Sequence, residues 1–240
     1  MAIKPILFNT EMVRAILDGR KSCTRRIVKP QQLIGMLPDK CKNGAPEEFL
    51  KEKKLMFKPY CDMTDIELIN TAYKAPYQPG DILYVRETWG ISNMDDESKM
   101  AYIVYRASEE QENEGCREVH LPDEKFEKMY ESMAESEPEW RPSIHMPKEA
   151  TRIWLKVTDV RVERLQDITE DGAEAEGAID NRGFIHSPEN EYDRIYTARE
   201  HFIGIWDRTI KKSDLERYGW NASPWVWVIE FERCEKPQEV

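Results

Sequence analysis

Near the start of the chain lies the stretch Gly19-Arg20-Lys21-Ser22-Cys23-Thr24-Arg25-Arg26. Between Arg14 and Lys29 the sequence has six basic residues and one acid, although the formal net charge of the whole chain is -11. Positive charge concentrated on an acidic protein indicates a site for an anion, such as a phosphate or a nucleic-acid backbone. A structural alternative for Arg20 and Lys21 is that they complement the negative end of a helix dipole.

The residues before this stretch predict an amphipathic helix. Asn9 or Thr10 can cap its N-terminus, because both side chains accept hydrogen bonds from free backbone N–H groups. Its apolar positions recur at helical spacing: Met12, Val13, Ile16 and Leu17. Gly19 stands where a left-handed residue ends a helix. The basic stretch is therefore expected to begin just beyond the C-terminus of this helix.

The bulk composition limits the class of protein. The 240 residues are 40% hydrophobic and 34% charged, which allows one large domain with a polar surface. No apolar run approaches the roughly 20 residues of a membrane-spanning helix, and the N-terminus lacks the pattern of a signal peptide. The five cysteines are widely spaced and odd in number, so neither a disulfide framework nor a zinc site is expected. We therefore expect a cytoplasmic protein with no membrane partner, no metal and no cofactor.

The distribution of apolar residues predicts a mixed α+β fold. Strands are predicted over four segments: 82–85, 101–105, 152–165 and 225–231. Helices are predicted over 168–178, with Thr169 as the N-cap, and over 197–210. Strands and helices do not alternate regularly, which favours the α+β class over α/β. The polar segments 31–76 and 106–147 read as irregular insertions.

The spacing Gly19-x-Lys21-x-x-Thr24-x-Arg26 after an amphipathic helix resembles the signature of ASCH domains. Three later segments resemble strands of the family in the same order: 79–83, 153–165 and 225–231. The resemblance implies a single PUA-like domain over 1–240, a small mixed β-barrel with flanking helices. The insertions, approximately 31–76 and 106–147, exceed the minimal domain. This longer form resembles proteins common in bacteriophages and prophages.

The resemblance also implies a substrate class. Some small bacterial ASCH proteins are amidohydrolases that remove the acetyl group from N4-acetylcytidine, and their catalytic residues match Lys21, Thr24 and Glu176 here. Glu170 and Glu174 compete with Glu176 for the same role. Other ASCH proteins bind or cleave RNA, and PUA-like relatives bind RNA or modified bases. The implied partner is RNA or a modified nucleoside or base, and either hydrolysis or non-catalytic recognition remains open.

The chemistry of an amidohydrolase assigns a role to each of these residues. A threonine hydroxyl such as that of Thr24 attacks a carbonyl once a neighbouring base removes its proton. Lys21 would be that base if burial lowers its pKa, because an ordinary lysine is protonated at neutral pH. Glu176 would orient Lys21 or pass a proton to the leaving amine. The alternatives are that Lys21 contacts a phosphate and that Thr24 simply begins a strand.

Five further residues are candidates for substrate binding. Arg25 and Arg26 would stabilise an oxyanion, or else pair with surface carboxylates. Glu87 would contact the amino group of a base, with a salt bridge to Arg86, Arg25 or Arg26 as the alternative. Trp89 would stack on a base, or else fill the core. His145 lies in a proline-containing loop, where binding residues often occur, and has no metal-binding partner at ligand spacing.

A third interpretation concerns the acidic insertions. The segment 108–139 is rich in glutamate and contains little that requires burial, apart from a short helix predicted around Phe126 to Met133. Such a segment could bind another protein or mimic nucleic acid.

Overall fold

The computed structural model describes residues 1–29, 64–108, 116–131, 140–182 and 196–238. Within these ranges the helices are α1 (Thr10–Leu17), α2 (Asp65–Ala72), α3 (Asp123–Glu131), α4 (Glu170–Ala175), α5 (Ala198–Thr209) and α6 (Leu215–Tyr218). The strands are β1 (Ile3–Leu7), β2 (Cys23–Ile27), β3 (Ile82–Arg86), β4 (Trp89–Asp95), β5 (Met100–Tyr105), β6 (Cys116–His120), β7 (Trp154–Arg164) and β8 (Trp225–Cys234). The predicted α+β class is confirmed.

The strands form two sheets. Five of them pair in the order β1-β3-β7-β8-β2, and β4, β5 and β6 form a separate antiparallel sheet. In the larger sheet β1 runs parallel to β3, whereas β3–β7 and β2–β8 are antiparallel pairs. Among the described strands, β1 and β2 are the two edge strands of this sheet, and they do not pair with each other. The sheet is therefore open, which differs from the closed barrel that the resemblance implies.

The described residues divide into two compact units. The first contains those of Met1–Lys21, Gly80–Val157 and Phe231–Val240. The second contains those of Ser22–Pro79 and Thr158–Glu230. Strands β7 and β8 contribute residues to each unit. The single domain over 1–240 remains a prediction.

In the first unit, α1 begins and ends where the sequence predicts. The Asn9 side chain accepts a hydrogen bond from the backbone N–H of Met12, and Gly19 has a φ of +75°. A left-handed φ of this kind is costly for residues with a Cβ atom, so glycine ends the helix at low cost. Both local predictions for this helix are confirmed.

The second sheet covers a core in the first unit. Buried residues of this core include Trp89, Ile103, Tyr105, Leu121, Phe126 and Met146. Three of them lie in the segment 106–147, which the sequence marks as an irregular insertion. The described part of that segment contains β6 and α3, and it buries apolar side chains. The parts 109–115 and 132–139, where the acidic insertion is most pronounced, lie outside the described residues.

In the second unit, α4 packs against β2 and against α5. Thr169 caps α4, because its hydroxyl accepts a hydrogen bond from the Gly172 N–H, as predicted. The buried face of α5 consists of Ala198, Phe202, Ile205 and Trp206. Helix α2 falls within the predicted insertion 31–76, of which 31–63 lie outside the described residues.

Candidate functional site

Strand β2 contains the later residues of the basic motif and belongs to the second unit. The side chains of these residues lie on the two faces of the sheet in alternation. Side chains alternate along a strand, so Thr24 and Arg26 share one face while Cys23 and Arg25 share the other. The antiparallel pairing with β8 places Arg26 opposite Trp227. The two arginines therefore have different surroundings although they are adjacent in sequence.

Arg25 is buried and pairs with two carboxylates. Its Nη1 donates to Oε1 of Glu176 at 3.3 Å, and its Nη2 donates to Oε2 of Glu163 at 3.2 Å. Charge-assisted N–H···O bonds are usually about 2.7–2.9 Å long, so both contacts are long. The Arg25 Nε has no hydrogen-bond partner among the described residues. Arg25 thus joins two acids without strong hydrogen bonds to either.

Glu176 is the acid of the α4 segment that faces inward. It is 5% exposed, whereas the competing Glu170 and Glu174 are exposed to solvent. Its contact with Arg25 joins residues 151 positions apart in the chain. Of the three candidate glutamates, the structure brings Glu176 to the basic motif.

Helix α4 lies very close to β2. The backbone N–H of Ser22 donates to the carbonyl of Ala175 at 2.9 Å, which ties the start of the strand to the end of the helix. A Cβ atom on Gly172 would lie 3.5 Å from the Arg25 Nη2 and 3.2 Å from the Thr169 hydroxyl. The contact with the guanidinium would be ordinary, so glycine at this position mainly leaves room for the side chains of Thr169 and Ile168.

Thr24 and Lys21 are both buried, with exposures of 2% and 4%. Thr24 belongs to the second unit, on the face of β2 that carries Arg26. Lys21 belongs to the first unit, where its backbone N–H donates to the carbonyl of Ala15 and its ammonium lies 5.4 Å from the centre of the Phe8 ring. In an ordinary surface cluster of charges the side chains are exposed to solvent. The burial of Thr24 and Lys21 therefore distinguishes this motif from such a cluster.

Arg26 is half-buried beside Tyr77 and Trp227. Burial lowers the pKa of the Arg26 guanidinium, an effect that the Glu176 carboxylate and Tyr77 oppose. Burial raises the pKa of the Tyr77 hydroxyl, and Arg26 opposes this shift. An arginine stays protonated in proteins, so Arg26 is a fixed positive charge next to a neutral phenol.

Glu87 lies in the first unit and is 1% exposed. Its two carboxylate oxygens each accept a hydrogen bond from Arg152, at 2.9 Å. Arg152 also donates to the Ser108 hydroxyl and lies over the Tyr105 ring. Burial raises the pKa of the Glu87 carboxyl, and Arg152 opposes this rise. The sequence suggested a salt bridge with Arg86, Arg25 or Arg26, so the observed partner is a different arginine.

Two other candidates also lie in the first unit. Trp89 is 2% exposed in the core beneath the second sheet, which agrees with the core interpretation rather than with base stacking. His145 is exposed in a 3-10 turn, Ser143–His145, where its backbone N–H donates to the carbonyl of Pro142.

Three residues that contact or face these candidates were not identified as site residues from the sequence: Arg152, Glu163 and Trp227. Each owes its importance to a partner far away in the chain. Glu163 and Trp227 lie in predicted strands, and their alternation could have indicated which face they occupy. The strand register that places Trp227 opposite Arg26 carries no signal in a single sequence.

Within the described ranges, no group of three His, Cys, Asp or Glu residues could hold a metal ion. The helices of this part of the chain are all too short or too polar to cross a bilayer. No protein-family model, curated protein or solved structure matches the chain.

Proposed function

We propose that this chain is an ASCH-type hydrolase that acts on a modified nucleoside or RNA, with an N4-acylcytidine as the substrate class. The observation that supports the proposal is the ion pair between Arg25 and Glu176. The motif resemblance assigns the basic stretch and this acid to one site. A contact between segments 151 positions apart is what such a site requires.

In the proposed reaction, the Thr24 hydroxyl attacks the acyl carbonyl of the substrate. Its proton passes to a base, a role that the motif spacing assigns to Lys21. Arg26 is the nearby fixed positive charge for the oxyanion of the tetrahedral intermediate. Collapse of this intermediate breaks the C–N bond, and the N4 amine of cytidine leaves with the proton that Lys21 took from Thr24. Glu176 contacts Arg25 on the other face of β2 and holds the basic strand in position. Water then hydrolyses the acyl-threonine, which gives the free acid and regenerates the Thr24 hydroxyl.

Recognition without chemistry is the second candidate, and the same ion pair favours it. An ionised carboxylate paired with a guanidinium accepts hydrogen bonds but has no proton to donate. Glu176 would then hold Arg25 in position, and the basic strand would contact RNA. This function predicts binding that weakens as the salt concentration rises.

One set of measurements separates the two functions. The purified protein is incubated with N4-acetylcytidine, with other N4-acylcytidines and with RNA, and the products are identified by chromatography and mass spectrometry. Thr24→Val removes the hydroxyl at nearly constant shape, and Thr24→Ser is the matched control that keeps it. Hydrolysis predicts turnover by the wild type and by Thr24→Ser, with loss in Thr24→Val and binding retained.

Recognition alone predicts salt-dependent binding, no product and little effect of Thr24→Val. A wild-type protein that neither turns over these substrates nor binds them at ~50 mM salt would reject both functions.

A further inference from the structure

A cavity of about 540 Å³ lies in the second unit, and Arg25 and its two carboxylate partners are not among the residues that line it. Helix α2 and the segment that follows it form one wall, and Val160 of β7 and Trp227 of β8 form another. Small-molecule sites in proteins usually have volumes of roughly 300–1,000 Å³. The cavity is therefore large enough for a ligand of nucleotide size.

Three aromatic side chains line this cavity: Tyr73, Tyr77 and Trp227. Tyr73 and Trp227 are buried and Tyr77 is half-buried, so their rings are held in place by the surrounding protein. A nucleobase stacked on an aromatic side chain gains roughly 1–3 kcal/mol, whichever base it is. These walls suit a flat heteroaromatic ring.

Polar groups at the cavity complement the other parts of a nucleotide. Asn70 and Gln78 line it with side-chain amides, which carry both the donors and the acceptor needed to read the edge of a base. Lys74 is also a lining residue, and its side chain carries an ammonium group. A cation next to a stacking surface suits a phosphate attached to a base.

We propose that this cavity binds a nucleoside monophosphate, either free or as a residue of single-stranded RNA. The base lies against Tyr77 and Trp227, and the phosphate lies near Lys74. This inference rests on the proposed function and names the part of the protein that selects the substrate. Thr24 shares the face of β2 on which Arg26 and Trp227 lie, so the bound nucleotide would occupy the same side of the sheet as the proposed nucleophile.

The location of these groups in the chain extends the inference. Asn70, Tyr73 and Lys74 belong to the segment 31–76, outside the segments that resemble the minimal ASCH domain. The insertion therefore supplies one wall of the binding site, and base recognition is expected to depend on residues that the motif does not contain.

The test measures binding of cytidine 5′-monophosphate, adenosine 5′-monophosphate, cytidine and ribose 5-phosphate by calorimetry and by quenching of tryptophan fluorescence. We expect both mononucleotides to bind. Tyr77→Leu, which keeps apolar bulk but removes the ring, should weaken mononucleotide binding about tenfold or more. Lys74→Ala should weaken binding of the mononucleotides and leave cytidine unchanged.

Matched controls lie in the same unit but outside the cavity. Tyr218→Leu changes another half-buried tyrosine, and Lys212→Ala removes another exposed lysine. Both should bind like the wild type, and thermal unfolding of all four variants verifies that they fold. A hexacytidylate arm distinguishes the two sources of the ligand, because tighter and more salt-dependent binding than that of the monophosphate favours RNA.

The inference is overturned if neither mononucleotide binds the wild type, or if folded Tyr77→Leu and Tyr218→Leu bind equally well. Its failure differs from that of the proposed hydrolysis. Turnover of N4-acetylcytidine that is unaffected by Tyr77→Leu would keep the hydrolase and reject the cavity. Nucleotide binding that requires Tyr77, in a protein that turns over no N4-acylcytidine, would keep the cavity and reject the hydrolase.

Discussion

Each unit contains a buried pair of arginine and glutamate, and the two pairs differ in how completely they are satisfied. In the first unit, Arg152 makes two parallel hydrogen bonds of 2.9 Å to Glu87 and a third to Ser108. In the second unit, Arg25 makes two longer contacts to separate carboxylates, and its Nε has no partner among the described residues.

The difference distinguishes a structural pair from a candidate functional one. A bidentate pair with a further hydrogen bond has met the needs of its buried charges, and it has little capacity left for a ligand. A buried guanidinium with an unmet donor and long contacts retains such capacity, and unsatisfied polar groups in a core call for a specific explanation. We therefore propose a structural role for the Glu87 pair and a functional role for the Arg25 pair.

We expect the largest effect from a substitution that breaks the Arg25–Glu176 pair and preserves the shape of the side chain. Glu176→Gln removes the negative charge that holds Arg25 but keeps the length of the side chain. Turnover of N4-acetylcytidine should fall about 10²-fold, because a small misplacement of a catalytic group can cost that much. Steady-state kinetics measures the loss, and Glu174→Gln, which changes an exposed acid of the same helix, is the control. Equal turnover by the two variants would contradict the assignment.

We expect the next largest effect from a substitution that breaks the Arg152–Glu87 pair. Arg152→Ala leaves the Glu87 carboxylate buried without its partner, which typically costs about 3–5 kcal/mol of unfolding free energy. Urea denaturation measures this loss. The double variant Glu87→Leu/Arg152→Met, which removes both charges, should recover most of the stability. If the double variant is as unstable as Arg152→Ala, the loss comes from packing rather than from an unpaired charge.

A smaller effect is expected when Trp227 of the second unit is compared with Trp89 of the first. Trp227→Leu removes a ring at the cavity wall and should weaken mononucleotide binding by about 1–3 kcal/mol. Trp89→Leu changes the core of the first unit and should reduce stability while leaving binding unchanged. Calorimetry on both folded variants measures the difference. Weaker binding in Trp89→Leu alone would return the stacking role to the residue first suggested by the sequence.

The smallest effect is a pH dependence at Glu87. Burial raises the pKa of this carboxyl in the folded state, so its contribution to stability is complete below its ordinary pKa of about 4.3 and is lost as pH rises through the folded value. Glu87→Gln has no proton to lose at this position. The wild type should therefore lose stability relative to Glu87→Gln as pH increases, as measured by urea denaturation from pH 4 to 8. The opposite slope would mean that Arg152 outweighs burial.

Local signals in the sequence predicted the elements that depend on neighbouring residues. The Asn9 cap, the end of α1 at Gly19 and the Thr169 cap of α4 follow from side chains within three or four positions. Helix α2 was missed although Thr64 and Glu67 form a capping box, so the signal was present. Periodicity also predicted the closing strand, whose observed bounds are Trp225–Cys234.

Contacts between distant residues were harder to predict. The glutamate that joins the basic motif was found by resemblance, but its contact with Arg25 depends on how α4 packs against β2. The partner of Glu87 lies 65 positions away, and several arginines were equally plausible from sequence. The open sheet likewise depends on which strands pair, and strand pairing is decided by tertiary packing.

Gly172 has a consequence for the start of α4. Helix propensity alone would favour alanine over glycine here by about 1 kcal/mol. The added methyl group would lie 3.2 Å from the Thr169 hydroxyl and 3.3 Å from Cγ1 of Ile168, whereas its distance of 3.5 Å to Nη2 of Arg25 is an ordinary contact. A substitution that strengthens the isolated helix would thus press on the residue that caps it, so helix propensity and helix capping oppose each other at a single carbon atom.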